Sequence, residues 1–293
     1  MASSSGSLEQ SRNRDTNRVW LVTGCSSGIG REIALAALQA GYRVAVTARK
    51  TEAVADIVDR FPDTAVALTL DVTDEAQRIA AMGSCVATFG AVDVLVNNAG
   101  YGYLAAIEEG EEAAIRQMFE TNFFGALAMV RAVLPGMREK RSGTIISVSS
   151  QAGLMANPGT GYYSTTKYAM EALNEVLAKE VAPFNIKVSA IQPGPFRTDW
   201  SGRSMQQTAM PIDDYYEHVG SRRAMISDMD GKQPGDPAKA ADAVLMLAEI
   251  DDPPAQLLLG NSVLDTYRGK LDVIEQSLKR WEGLTRGADF EAN

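Results

Sequence analysis

The stretch Val19-Trp20-Leu21-Val22-Thr23-Gly24-Cys25-Ser26-Ser27-Gly28-Ile29-Gly30 decides the fold. A short apolar run, read as a buried strand, enters a glycine-rich turn and leaves it into a segment of helical period at 29–40. Gly24 permits the tight turn, Gly28 lets backbone approach a pyrophosphate, and Gly30 lets the helix pack close to the sheet. The helix N-terminus offers unpaired N–H groups and a positive dipole end to an anion. Ser26, Ser27 and Ile29 join the three glycines as candidate cofactor-binding residues.

The same strand-then-helix rhythm runs outward from this point. Apolar, β-branched runs predict strands at 19–23, 43–47, 65–70, 92–96, 144–148, 187–191 and 257–259. Helical periods fall at 29–40, 51–60, 74–89, 111–138, 163–181, 237–250 and 264–281. Strands without polar alternation are expected where helices cover both faces of a sheet. The prediction is an α/β fold, a doubly wound parallel sheet of about seven strands with right-handed crossovers. No repeat or low-complexity linker divides the chain, so residues 18–282 read as a single domain. Residues 1–17 and 283–293 read as tails. The Met-rich, Gly- and Pro-interrupted segment 196–235 reads as a substrate lid with a short helix near 213–226.

Composition removes several alternatives. A net charge of −9 disfavours nucleic acid as a partner. One His and two distant Cys, Cys25 and Cys85, make neither a usual zinc site nor a disulfide framework, so no metal is expected. No apolar run suggests a membrane span and the first residues lack a signal-peptide core, so a cytoplasmic location is expected.

An acidic residue about 20 positions after the glycine loop would grip a ribose 2′-hydroxyl. Thr47-Ala48-Arg49-Lys50 stands there instead. Arg49, with Lys50, offers cationic donors suited to a 2′-phosphate, which favours NADP(H) over NAD(H). Further on, Tyr163 and Lys167 stand four apart, on one face of a helix. Ser149-Ser150 closes the preceding strand, with Ser150 13 residues before Tyr163. The carboxyl end of a parallel strand is where ligands of such sheets bind.

With these residues in view the chain resembles the single-domain branch of the short-chain dehydrogenase/reductase family, whose sheet is Rossmann-like. The matching residues are Thr23-Gly24-x-x-x-Gly28-x-Gly30, Asn97-Asn98-Ala99-Gly100, Asn122, Ser150, Tyr163-x-x-x-Lys167 and Pro193-Gly194. The resemblance implies that Tyr163 exchanges a proton with a carbonyl or alcohol oxygen and that Ser150 hydrogen-bonds that oxygen. It implies that Lys167 holds the nicotinamide ribose and, together with an oxidised nicotinamide, lowers the phenol's pKa, and that Asn122 holds a water of a proton relay. Lowering a phenol from about 10 to about neutrality takes roughly 4 kcal/mol. A cation about 4 Å away at an effective dielectric near 20 supplies that. The family's pattern also assigns cofactor contacts to Asp71 and Val72, to Asn98, Ala99 and Gly100, and to Pro193, Gly194, Phe196 and Thr198. Asp71 or Asp74 could equally cap the helix that follows.

Met155, Phe196, Trp200, Met205, Met210 and Tyr215, with Tyr101 and Tyr103, are the candidate lining of a pocket for a hydrophobic ketone, aldehyde or secondary alcohol. His218 is expected to be an exposed lid residue. The family's use of the helices at 111–138 and 163–181 implies a homodimer or homotetramer. The competing expectations are a non-catalytic NADP-binding sensor or scaffold, and a dehydratase or isomerase on the same fold.

Overall fold

In the computed structural model, which describes residues 15–200, 202, 204–209 and 211–290, the run Val-Trp-Leu-Val is strand β1 (Val19–Val22), buried throughout. Strand side chains alternate between faces. Trp20 and Val22 enter one core, Val19 and Leu21 the other. The remaining strands are β2 (Arg43–Ala48), β3 (Ala65–Thr69), β4 (Val94–Asn97), β5 (Gly102–Leu104), β6 (Gly143–Val148), β7 (Ile186–Pro193), β8 (Met205–Gln207) and β9 (Gln256–Leu259). Seven of them form one parallel sheet in the order β3-β2-β1-β4-β6-β7-β9. The chain winds outward from β1 to β3 and then returns to the other side of β1, so a crevice opens where the order reverses.

The helices are α1 (Gly28–Gln39), α2 (Ala55–Arg60), α3 (Glu75–Phe89), α4 (Glu112–Phe119), α5 (Ala126–Lys140), α6 (Gly161–Val181), α7 (Ser221–Asp228), α8 (Pro237–Glu249) and α9 (Asn261–Arg286). One face of the sheet is covered by α1, α2 and α8 through Ile33, Leu38, Ile57 and Val244. The other is covered by α3, α5 and α6 through Cys85, Met129, Met137 and Leu177. Two buried faces explain why the strands carry apolar residues at successive positions. Among the described residues no helix is long and apolar enough to cross a membrane.

Three features depart from the sequence reading. The expected helix at 111–138 runs unbroken but contains a π-turn at Glu120–Gly125, which marks the boundary between α4 and α5. The short strands β5 and β8 pair in parallel outside the main sheet. The last helix reaches Arg286, past the start of the expected tail at 283. Residues 1–14 and 291–293 of the expected tails, and Met210 of the expected lid, lie outside the described residues.

Candidate active site

The turn after β1 has the shape of an anion cradle. Gly24 (φ +73°) and Gly28 (φ +63°) occupy the left-handed region, which glycine enters without a Cβ clash. A Cβ on Gly30 would lie 2.1 Å from Asn98 Nδ2 and 2.6 Å from the Gly24 carbonyl oxygen. Asn98 approaches this closely because its amide donates to the carbonyls of Thr23 (2.9 Å) and Gly24 (3.0 Å). The backbone N–H groups of Asn98 and Ala99 donate back to Thr23 Oγ1 at 2.9 and 3.0 Å. The end of β4 therefore clasps the glycine turn. Ser27 caps α1 without a side-chain hydrogen bond, which leaves the first-turn N–H groups to an external acceptor. Ser26 is exposed, and Ile29 is half-buried against the core beneath. This donor set fits a pyrophosphate.

Arg49 and Lys50 are exposed just beyond β2. The Arg49 charge also reaches Tyr101, where it opposes the upward push that burial gives the phenol. After β3, Asp71 Oδ1 accepts from Thr73 N (2.9 Å) and Thr73 Oγ1 (2.7 Å). Asp74, not Asp71, is the N-cap of α3, accepting from Gln77 N at 3.0 Å. Val72 is buried where a Cβ on Gly125 would lie 2.6 Å from its Cγ2. Gly100 passes close to Asn122, whose Oδ1 would be 3.0 Å from a Cβ there.

Helix α6 brings Tyr163, Lys167 and Glu171 to one buried face, each four residues from the next. Ser150 ends the strand β6 segment, caps the 3₁₀ turn Gln151–Gly153, and accepts from Ala152 N at 3.1 Å. Its hydroxyl also acts on the buried Tyr163 phenol, where this polar interaction draws the phenol's pKa down. Burial is the stronger effect and pushes that phenol up to about 12. The Lys167 ammonium donates to the Val148 carbonyl at 2.9 Å and lies 5.8 Å from the Tyr163 ring centroid, so it faces the ring. Burial in turn pushes Lys167 down to about 8, against the opposing charge of Glu171. The neighbouring Ser149 Oγ is buried and bonds to nothing.

Asn122 sits in the π-turn and clasps the strand beside it. Its Oδ1 accepts from Tyr101 N (3.0 Å), and its Nδ2 donates to Tyr101 O (2.9 Å) and Thr166 Oγ1 (3.2 Å). Glu171 was not singled out from the sequence. Its carboxylate accepts from Gln192 Nε2 at 3.0 Å and Gln256 Nε2 at 2.7 Å, tying α6 to β7 and β9. The visible signal was its place one further helical turn beyond Lys167.

The segment after β7 closes over these groups. Gly194 is pressed against Val263, and Phe196 stacks on Gly235 through an isolated bridge. Thr198 lies 3.4 Å from the position of a Cβ on Gly28, over the glycine turn. Trp200 packs on Tyr163 with ring centroids 5.4 Å apart. Met205 and Trp200 both press on Gly102. Tyr103 and Tyr101 join the same cluster. Two expected lining residues turn elsewhere: Met155 packs with Leu154, Val263 and Tyr267, and Tyr215 donates to Glu108 Oε2 at 2.7 Å. His218 is exposed. Burial pushes the thiols of Cys25 and Cys85 up to about 12, so neither is a ready nucleophile.

The comparisons agree with this geometry. A family model described as short chain dehydrogenase matches residues 18–209. Oxidoreductase BOA17 of Botryotinia fuckeliana is 37% identical over 270 residues, covering 92% of this chain and 98% of that protein. The 3-ketodihydrosphingosine reductase of Bacteroides thetaiotaomicron is 35% identical over 83% of this chain and 88% of its own. The crystal structure of a short-chain dehydrogenase from Streptomyces avermitilis superposes with a TM-score of 0.88 at 44% identity, covering 93% of this chain and 99% of that one. The chain is an oxidoreductase that belongs to the short-chain dehydrogenase/reductase family.

Proposed function

We propose that the protein is an NADP(H)-dependent reductase of hydrophobic ketones or aldehydes, working on the CH–OH/C=O couple. The observation that carries the reading is the convergence of Tyr163 and Lys167 on one buried face of α6, with Ser150 near enough to act on the phenol, under a lid wall of Trp200 and Met205. A bound nicotinamide would supply the hydride; the chain's own residues manage the proton and the charge. The glycine turn and the α1 N-terminus would hold the pyrophosphate, and Arg49 with Lys50 the 2′-phosphate. Asn98, Ala99, Gly100, Asp71 and Val72 would border the adenosine half. Pro193, Gly194, Phe196 and Thr198 would border the nicotinamide half.

A phenol whose pKa lies near 12 keeps its proton at neutral pH. Tyr163 thus carries the proton it would donate to a carbonyl oxygen as charge develops there. Ser150 donates a second hydrogen bond to the same oxygen. Lys167, protonated below about 8, stabilises the phenolate that donation leaves behind. Asn122 fixes the backbone of Tyr101 against α6 and keeps this face in place. The aromatic and Met lining suits an apolar substrate. The reductase among the relatives acts, by its name, on a long-chain 3-keto compound, in keeping with this reading.

The test is NADPH and NADH oxidation against a panel of ketones and aldehydes. The expected result is carbonyl-dependent oxidation with NADPH preferred. Arg49→Asp is expected to cost about 2 kcal/mol of NADPH binding, roughly a 30-fold loss. An unchanged NADPH/NADH ratio in that variant would remove Arg49 from the site. Tight NADPH binding without turnover on any carbonyl would mark a sensor. Product formation without net cofactor consumption would mark an isomerase.

A further inference from the structure

Helix α9 is anchored at one end only. Val263 is buried, Tyr267 packs against Leu154 and Met155, and Lys270 Nζ donates to Tyr168 Oη at 2.7 Å and to the Leu154 carbonyl. From Leu271 to Arg286 every residue is exposed. At about 1.5 Å per residue the helix is roughly 39 Å long, so well over half of it stands clear of the domain. Its exposed length is not polar. Leu264, Leu271 and Leu278 recur every seven residues, and Ile274 and Trp281 continue at the same interval the series that begins with the anchoring Tyr267. Leu278 is 64% exposed and Trp281 51%. An interleaved pair of seven-residue apolar series is the a/d seam of a coiled coil. A stripe of this kind left in water marks an interaction surface.

We infer that this seam pairs with α9 of a second copy of the chain, antiparallel. The 3.5-residue period calls for a partner helix rather than a strand or a flat surface. The helix carries four acids and five bases, too balanced to draw it to an anionic bilayer, and the whole chain is at −9. The charges are complementary to themselves. In an antiparallel pair the positions that follow the d residues flank one another across the seam. Here these are Arg268, Glu275 and Glu282, so Arg268 of each copy faces an acid of the other. A parallel pair would crowd two domains at the same end of the coil. It would also need Lys270, already committed to Tyr168 and Leu154, to pair with Glu275. This surface is separate from α5 and α6 and adds one pairing to whatever those faces make.

The mass of the full-length protein at micromolar concentration, by sedimentation or light scattering, reads the pairing. Leu271→Lys with Leu278→Lys should halve the mass of the assembly while leaving the far-UV spectrum unchanged, since both sites are exposed. Arg268→Glu alone should weaken association at least about tenfold. Adding Glu275→Arg and Glu282→Arg to it should restore association. An unchanged mass in the double Lys variant would overturn the pairing. Failure of the triple variant to recover would overturn the antiparallel arrangement. Flotation of wild-type protein with phosphatidylglycerol vesicles would assign the seam to lipid instead, against the proposal.

Discussion

The glycine turn and the lid face each other across one crevice but are held by different forces. The turn is clamped from both sides: Asn98 bonds to Thr23 and Gly24, and Gly30 allows no room for a methyl group. Beneath it lie the buried ladders of β1, β2 and β4 and two apolar cores. The lid rests on a three-residue strand pair and on polar bonds near the surface. Thr208 donates to Glu111 (3.0 Å), Ile212 N to Glu109 (3.1 Å), and Arg223 to the carbonyls of Leu104 (2.7 Å) and Thr208 (2.8 Å). Segments with few buried apolar contacts open locally, whereas a core loop opens only with the whole domain. The difference is one of local stability: the glycine turn is fixed with the core beneath it, and the segment over Tyr163 is expected to open at lower free energy.

The largest effect that could break this contrast is Gly30→Val. It drives side-chain atoms into Asn98 and the Gly24 carbonyl, and should cost about 3 kcal/mol. A thermal melt would show a clear fall in midpoint, with dinucleotide binding lost alongside. A variant of wild-type stability would mean that the turn is as yielding as the lid.

Glu171→Gln sharpens the contrast from the body side. The Glu171 carboxylate raises the Lys167 pKa, and burial lowers it to about 8. Lys167 is charged below that pH and neutral above it, so reduction should decline as pH rises through about 8. Without the Glu171 charge the decline should begin at lower pH, with roughly a threefold loss of rate at pH 8. A pH–rate profile with its limb unmoved would detach Glu171 from the site. The smallest effect is expected in the lid. Thr208→Val removes one partly exposed hydrogen bond to a carboxylate and should cost under about 1 kcal/mol of global stability. Hydrogen exchange at 205–207 should nevertheless quicken, and KM should change more than kcat. Equal quickening in β1 would show that lid and body open together.

The seven sheet strands were legible because each is a short run rich in apolar residues closed by a turn, buried in the central strands and partly exposed in the edge strands β3 and β9. The placement of the glycine turn, Ser150, Tyr163 and Lys167 around one crevice was legible from their spacing along the strand–turn–helix units. The π-turn at Glu120–Gly125 was not. Apolar periodicity continues across it, as does the helical backbone, and the contacts at the widened turn are tertiary: the Asn122 amide is drawn to the Tyr101 backbone, and Gly125 is pressed on Val72. The three-residue strands β5 and β8 have too few residues for a period, and their pairing depends on Gly102 admitting Met205 and Trp200. Spacing places Lys167 on the same face as Tyr163 but does not say that its ammonium meets the ring. The seam of α9 was read as helix, and periodicity alone does not reveal that its apolar side is uncovered.

Single-turnover oxidation of saturating NADPH by a ketone, in wild type and Tyr163→Phe, tests the proton-donor assignment most directly. The phenol's loss should slow turnover by about 10²–10⁴-fold while the NADPH dissociation constant stays within about twofold. A variant that turns over at the wild-type rate would place the proton donor elsewhere and contradict the account.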